Sequence, residues 1–228
     1  MTFTSPPEIM TAVTDLFDAI AAIVFLIILS RDNSAGAKLW KAMMLSLAVS
    51  GAMGLFVHSI EWNESVENAV WILLPLPMCI AVSAFFARAI TELNTRYLKK
   101  SVIFASVLCA LSYASMLALY FSGAEFLVVF TLYAAVCVLA AGAIFIIAFF
   151  KTKQNALWFY IIGVFIEIPG GIVQAKRDLY FTFIVKMDFN SLFHLILLAS
   201  IIFFTVGYVV QKKSAVELKQ KSNVAKTV

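Results

Sequence analysis

The stretch DFNSLFHLILLASIIFFTVGYVV, residues 188–210, joins a polar turn to an uninterrupted apolar run. From Asn190 to Val210 the run is long enough to cross a hydrocarbon core of about 30 Å, which takes about 20 helical residues. One helical turn after Asn190 comes His194, one of two histidines in the sequence. The stretch therefore predicts a transmembrane helix that begins at a polar site.

Six further apolar runs accompany this one, and together they define the fold class. Hydrophobic residues make up 63% of the 228 residues and charged residues 13%. Inside a bilayer every backbone polar group must bond within its own helix, so such runs predict an all-α bundle of seven transmembrane helices. The connections are short, which leaves one seven-helix domain, 1–210, and a basic tail, 211–228. The predicted segments are Ile9–Ser30, Leu39–Ile60, Val70–Ile90, Ser101–Phe121, Phe126–Phe150, Leu157–Val173 and Asn190–Val210.

The basic residues predict how the bundle sits in the membrane. Fourteen of the 17 lysines and arginines, Arg88 among them, belong to one end and the tail, whereas the other end has Lys176, Arg177 and Lys186. Cytoplasmic loops carry an excess of basic residues, so we expect the N-terminus outside and the C-terminus in the cytoplasm. Trp40 is expected at the inner membrane interface. The tail is expected to be flexible and to contact anionic lipid, with no nucleic-acid partner.

Prolines and cysteines occur within the apolar segments. Pro75 and Pro77 lie in the outer half of the third segment and predict a kink or a local break in its helix. Cys79, Cys109 and Cys137 all lie inside apolar runs and have no metal-ligand spacing. We therefore expect the cysteines to be small buried hydrophobic residues.

The first segment carries a polar face. Thr11, Thr14, Asp15 and Asp18 recur at spacings of three and four, which places them on one side of a helix. The uncharged run after Asp18 is too short to span a bilayer alone, so the carboxylates are expected to enter its outer half. Charges at that depth usually face the interior of a bundle or a water-filled cavity. The alternative is an interfacial first turn whose carboxylates favour the helix dipole.

Other polar residues belong to the same outer half. His58 ends the second segment, with Glu61 three residues beyond it, and Glu167 lies well inside the sixth segment. A buried Glu167 is either functional or a neutral group that bonds the carbonyls freed by Pro169. The inner half has almost no polar groups by comparison. This distribution predicts a polar cavity open to the outer face, and it disfavours an ion-conducting path.

Two histidines near carboxylates are candidate ligands for a divalent metal, of which zinc is the most plausible. Bound zinc lowers the pKa of its water toward about 7, which makes a hydrolytic nucleophile. Asp15, Glu61 or Glu167 would complete the ligand set or act as the general base. The sequence contains no H-x-x-x-H or H-E-x-x-H motif, so the alternative is two ordinary hydrogen-bonded histidines.

The two histidine positions resemble those of the superfamily that contains the alkaline ceramidases and the progestin and adiponectin receptors. That group carries S-x-x-x-H in segment two and H-x-x-x-H in segment seven, and its histidines bind zinc in a lipid amide hydrolase. His58 and His194 match the first and last histidines, whereas Gly54 and Asn190 stand where the serine and the remaining histidine would be. The family aspartate near segment three has no clear counterpart. The resemblance implies metal ligation by His58 and His194, with Asn190 as a weak ligand or as the residue that orients the water.

The Thr14-Asp15 pair near the start of the sequence and the stretch 188–194 also resemble a family of bacterial seven-helix membrane proteins without assigned function. This resemblance implies that the protein is located in a bacterial inner membrane. The leading hypothesis is a zinc-dependent hydrolase that acts on a lipid-like amide or ester from an outward-facing cavity. The alternative is a non-enzymatic sensor, receptor or small-ligand-binding membrane protein. A retinal-binding rhodopsin is disfavoured, because the seventh segment has no lysine for a Schiff base.

Overall fold

A computed structural model describes residues 3–176, 179–182 and 185–227, without the side chains of 219, 221, 222 and 224–227. Within these ranges the chain is almost entirely helical, with a short 3-10 turn at Thr95–Tyr97 and one small antiparallel hairpin. The elements in chain order are α1 Pro6–Leu29, α2 Ala35–Ser59, α3 Glu64–Leu73, α4 Pro75–Leu93, α5 Leu98–Phe121, α6 Leu127–Thr152, α7 Ala156–Ala175, β1 Tyr180–Thr182, β2 Lys186–Asp188 and α8 Phe189–Thr227.

All seven apolar segments predicted from the sequence coincide with helices that are long and apolar enough to cross a membrane. The third span, Glu64–Leu93, is made of α3 and α4, which meet at Leu74. Pro75 opens α4, so the break predicted from the prolines is confirmed. The expected flexible tail instead continues α8 as helix as far as Thr227. The three cysteines are free and buried, as predicted.

A layer of aromatic rings fills the core where α1 ends and α2 and α7 begin. The indole of Trp40 is 0% exposed, and its centroid lies 5.3 Å from that of Tyr160 and 5.6 Å from that of Phe25. Phe85 and Phe204 complete the surrounding rings. Trp40 therefore packs inside the bundle and does not face outward as the predicted interface anchor would. The indole is more stable among these rings than it would be facing outward, because each well-oriented aromatic pair contributes about 0.5–1.5 kcal/mol beyond the burial of apolar area.

Polar residues lie on both sides of the aromatic layer. The histidine end of the bundle is the end with His58 and His194, and the arginine end is the end with Arg88. Arg88, expected among the solvated loop residues, is 5% exposed and pairs with Glu92 one turn further along α4.

The prediction that the inner half is almost free of polar groups was wrong. Arg88 also donates to Thr91 of its own helix and to Gln211 of α8, so its side chain links α4 to α8 at the arginine end. Among the three basic residues expected at the opposite end, Lys176 follows α7 and Lys186 is the first residue of β2. Arg177 lies outside the described residues.

Candidate functional site: the histidine cluster

The polar face of α1 is buried, as its spacing predicts. Asp15 is 3% exposed and Asp18 2%, and Thr11 and Thr14 are equally enclosed. The Thr14 hydroxyl donates to the carbonyl of Thr11, 2.9 Å away, so it is satisfied within its own helix. The two carboxylates are therefore the groups on this face that must find partners on other helices.

His194 lies between these two carboxylates. Its Nδ1 atom is 2.8 Å from Oδ2 of Asp18, and its Nε2 atom is 3.2 Å from Oδ1 of Asp15. The contact between Nδ1 and Asp18 is a hydrogen bond, and a protonated ring would form an ion pair with each of the two carboxylates. The arrangement joins the second turn of α8 to the middle of α1.

His58, in the last turn of α2, has a carboxylate of its own. Its Nδ1 atom is 2.5 Å from Oε2 of Glu8, at the start of α1, and its backbone carbonyl accepts from the hydroxyl of Thr4. His58 and His194 are close enough to interact electrostatically. The structure therefore brings both histidines to one end of the bundle, each against separate acidic residues. The histidine cluster is defined as Glu8, Asp15, Asp18, His58 and His194.

Two glycines of α2 make room for Asp15. A Cβ atom at Gly54 would lie 2.6 Å from Oδ1 of Asp15, and one at Gly51 would lie 2.7 Å from the Asp15 carbonyl oxygen. A real Cβ atom essentially never comes this close to another heavy atom, so α1 and α2 approach each other this closely only because Gly51 and Gly54 lack side chains. The Asp15 carboxylate fills the space beside Gly54 that a serine would need.

Asp188 supports the cluster from the hairpin side. Its Oδ1 atom accepts from the backbone N–H of Ser191 at 2.8 Å, the bond that an N-cap residue makes to the third residue of its helix. Oδ1 also accepts from the hydroxyl of Thr11 at 3.1 Å. Asp188 is therefore the N-cap of α8, which begins at Phe189.

The other predicted site residues are more dispersed. Asn190 is half-buried in the first turn of α8, and Glu61 is exposed in the connection between α2 and α3. Glu167 of α7 lies near Ser200 and Asp18, and its Oε1 atom is buried without a hydrogen-bond partner among the described residues. Glu61 is therefore the most exposed of the three predicted catalytic residues.

Sequence reasoning missed Glu8 and Asp188 as site residues. Glu8 lies in the first turn of α1, where an acidic residue is ordinarily explained by the helix dipole. Asp188 comes directly before an apolar helix, with a hydroxyl residue three positions later. That pattern marks an N-cap, and it was the available signal for Asp188.

The described side chains do not by themselves form the predicted zinc site. No group of three or more His, Cys, Asp or Glu among them is arranged to hold a metal ion. Zinc sites in proteins normally have three or four protein ligands. Both ring nitrogens of His194 already face carboxylates. Zinc ligation by His58, Asn190 and His194 therefore stays a prediction.

Buried polar atoms without a partner differ in kind between the two ends. Among the described residues, those at the histidine end are all acceptors and those at the arginine end are all donors. An unpaired buried group costs about 1–3 kcal/mol, and more when it is charged. The histidine end therefore favours a cation or another donor, and the arginine end an acceptor. The atoms are Asp15 Oδ2, Asp18 Oδ1, Glu167 Oε1 and Gln174 Oε1 at the first end, and Trp40 Nε1 and Arg88 Nε at the second.

Residues 10–212 match a family described as "Family of unknown function (DUF6962)". This match covers most of the chain, from the first span to the arginine end of α8. No curated protein and no solved structure matches the sequence.

Proposed function

Because the chain belongs to DUF6962, a family of unknown function, we propose its function from the geometry of the histidine cluster: it binds a small cation there, as a seven-helix sensor or receptor. The observation that carries this proposal is the pair of buried carboxylates around His194. One oxygen of each, Asp15 Oδ2 and Asp18 Oδ1, has no hydrogen-bond donor among the described residues.

Charge balance supports a cation. The histidine cluster contains three carboxyl groups and two imidazoles, so with all three carboxyls ionised it keeps one negative charge even when both histidines are protonated. Asp188 and Glu167 add further acidic groups nearby. Uncompensated charge is expensive in a membrane interior, and charged residues there usually mark ligand or ion sites. A protonated amine or a divalent metal ion would supply the missing positive charge.

The packing limits the size of the ligand. α1 and α2 touch at Gly51 and Gly54, directly beside Asp15. A bulky cation has no room on that side of the carboxylate, whereas a metal ion or a primary ammonium group needs little space. Binding would also draw α1, α2 and α8 together, since Asp15, His58 and His194 come from these three helices. Such a change in helix packing is how a receptor without enzymatic activity would signal.

The proposal is tested by melting curves of the purified protein in detergent. Zinc, magnesium and ethanolammonium chlorides are compared at one pH and one ionic strength. At least one cation should raise the melting temperature of the wild type. Asp15→Asn and Asp18→Asn should weaken that effect about tenfold or more, which corresponds to about 1.4 kcal/mol. Glu64→Gln is the matched control, because Glu64 is exposed in the first turn of α3 and does not belong to the histidine cluster. Equal responses in wild type and both Asn variants would rule the proposal out.

The second candidate is the metal-dependent hydrolase expected from the sequence. The observation that favours it is that His58 and His194 each hold Nδ1 against a carboxylate, Glu8 and Asp18. Metal-binding histidines usually have their second ring nitrogen fixed in this way. Metal analysis after zinc supplementation decides it, with His58→Ala and His194→Ala as comparisons. Substoichiometric zinc in the wild type, or no turnover of lipid-like amides and esters, would exclude this candidate.

The proposed orientation places the histidine end outside and the arginine end in the cytoplasm. The bias of basic residues toward the arginine end supports this orientation. The site would then meet its ligand from the outer side of what we propose is a bacterial inner membrane, with membrane lipids as its surroundings.

A further inference from the structure

A second polar site lies at the arginine end, far from the histidine cluster. It is a cavity of about 380 Å³ between the α1–α2 connection, α4 and α8. Its wall includes Asp32, Gly36, Arg88, Glu92 and Lys212. Cavities of roughly 300–1,000 Å³ with a few convergent polar groups are typical of small-ligand sites.

The first donor in this cavity is Arg88. Its Nη1 atom donates to Thr91 and its Nη2 atom to Gln211, while Glu92 balances its charge. Its Nε atom is buried and has no hydrogen-bond partner among the described residues. The guanidinium also lies 5.8 Å from the ring centre of Trp40. Arg88 is thus held in place from several sides, yet its buried Nε–H group lacks a hydrogen-bond partner among the described residues.

The second set of donors is the start of α2. Ser34 caps this 25-residue helix by accepting from the N–H of Ala37, but Ala35 and Gly36 have no partners within the helix for their own N–H groups. A Cβ atom at Gly36 would lie 3.2 Å from Nε of Arg88. The absence of that side chain lets the helix start and the guanidinium converge. Helix N-termini bind anions through their free N–H groups and the helix dipole.

Lys212 supplies a further positive charge, with a side chain that is 50% exposed. Its ammonium group lies 2.6 Å from Asp32, which also accepts from the hydroxyl of Tyr208 and the N–H of Ser34. Glu92 is likewise engaged, by Arg88 and by the amide of Gln211. The acidic residues of the cavity are therefore occupied by internal partners, whereas the groups left over are donors.

We propose that this cavity binds a phosphate group, either as free phosphate or as the head group of an anionic phospholipid. A guanidinium beside a helix N-terminus offers the geometry that phosphate oxygens accept. The cavity is larger than one phosphate ion, so it leaves room for an organic group attached to the phosphate. Its position at the end of the bundle, beside exposed Lys212, makes it reachable from both the aqueous phase and the lipid head groups.

The test uses delipidated full-length protein in a maltoside detergent. One arm titrates inorganic phosphate against chloride at constant ionic strength, and the other titrates short-chain phosphatidylglycerol, with melting temperature and native mass spectrometry as readouts. We expect saturable binding in at least one arm. Binding in the first arm alone identifies free phosphate, and binding in the second alone identifies a lipid head group.

Variants tie the binding to the cavity. Gly36→Ala places a methyl group between the helix start and Arg88, and Arg88→Lys removes the Nε donor while keeping a positive charge. Each should weaken binding about tenfold or more, which corresponds to about 1.4 kcal/mol. Lys213→Gln is the matched control, because Lys213 is exposed and does not line the cavity. If Arg88→Lys fails to fold, Gly36→Ala alone decides. No binding in either arm, or equal binding by wild type and Gly36→Ala, would overturn the proposal.

Discussion

The Nδ1 atom of His194 lies 2.8 Å from Oδ2 of Asp18, although the two residues are 176 positions apart in the sequence. This contact joins the first and last helices of the bundle. Asp15 contacts the other ring nitrogen, so the His194 ring lies between both buried carboxylates of α1. The candidate site and one of the contacts between α1 and α8 therefore share the same side chain.

A double-mutant cycle should reveal this dependence. His194→Ala leaves Asp15 and Asp18 buried beside each other without their shared partner, so it should lower stability strongly. Asp18→Asn in the same background removes one of the two charges and should restore part of the loss. We expect a coupling energy of about 1–3 kcal/mol, measured by unfolding in mixed detergent micelles. If the stability lost in the double variant equalled the sum of the losses in the two single variants, the contact between His194 and Asp18 would contribute no energy of its own.

Gly54 is predicted to be intolerant of even a methyl group. In Gly54→Ala the new Cβ would meet the Asp15 carboxylate at 2.6 Å, so the carboxylate or the helix must shift. Overpacking of this kind costs about 1–3 kcal/mol. Cation binding by the histidine cluster should weaken along with thermal stability.

Gly171→Ala is the matched control for that measurement, because a Cβ there meets nothing within 4 Å. Its effect should lie within about 1 kcal/mol, the usual difference between glycine and alanine in a helix. Similar losses for both variants would mean that the space beside Asp15 is less restricted than the geometry indicates.

Asp188 is predicted to stabilise the start of α8. Asp188→Ala removes the acceptor for the N–H of Ser191 and for the hydroxyl of Thr11. Loss of an N-cap costs about 0.5–2 kcal/mol, and the buried Thr11 hydroxyl raises our expectation to the upper part of that range. Asp188→Asn should lose less, since asparagine caps about as well as aspartate. Thermal unfolding of the two variants side by side measures the difference, and equal values for wild type and Asp188→Ala would contradict the assignment.

The sequence predicts those parts of the fold that depend on neighbours along the chain. Long apolar runs predict the spans, and the spacing of Asp15 and Asp18 predicts the buried face of α1. The surroundings of Arg88 depend instead on Trp40 and Gln211, which are distant in sequence and meet it only in the folded bundle. A basic residue near the end of an apolar run is usually a solvated anchor, so its pattern alone favours the wrong environment.

Asp32 gives the protein a predictable pH dependence at its arginine end. Burial by itself raises the pKa of this carboxyl, but the hydrogen bonds from Lys212, Tyr208 and Ser34 outweigh it and hold the pKa well below its usual value. The unfolded chain therefore takes up a proton near the ordinary pKa of about 3.9, before the folded protein does. The stabilisation is complete above that pH and is lost as the pH falls toward the lowered value.

Comparison with Asp32→Asn isolates this effect. Wild type should be the more stable protein from pH 6 to 8, and the gap should narrow below about pH 4. Glu64→Gln, at an exposed position in the first turn of α3, controls for the general loss of negative charge. A gap between wild type and Asp32→Asn that stays constant to pH 3 would contradict the expected role of Asp32.

The orientation of the bundle is testable with single cysteines. Ala124 lies in the exposed connection between α5 and α6, and Asn155 lies in the exposed connection between α6 and α7. The native cysteines are buried, so they should give little background labelling. Because basic residues concentrate at the arginine end, Ala124→Cys should react with a membrane-impermeant maleimide in intact bacterial cells. Asn155→Cys should react only after the membrane is permeabilised, and the reverse pattern would place the histidine cluster on the cytoplasmic side.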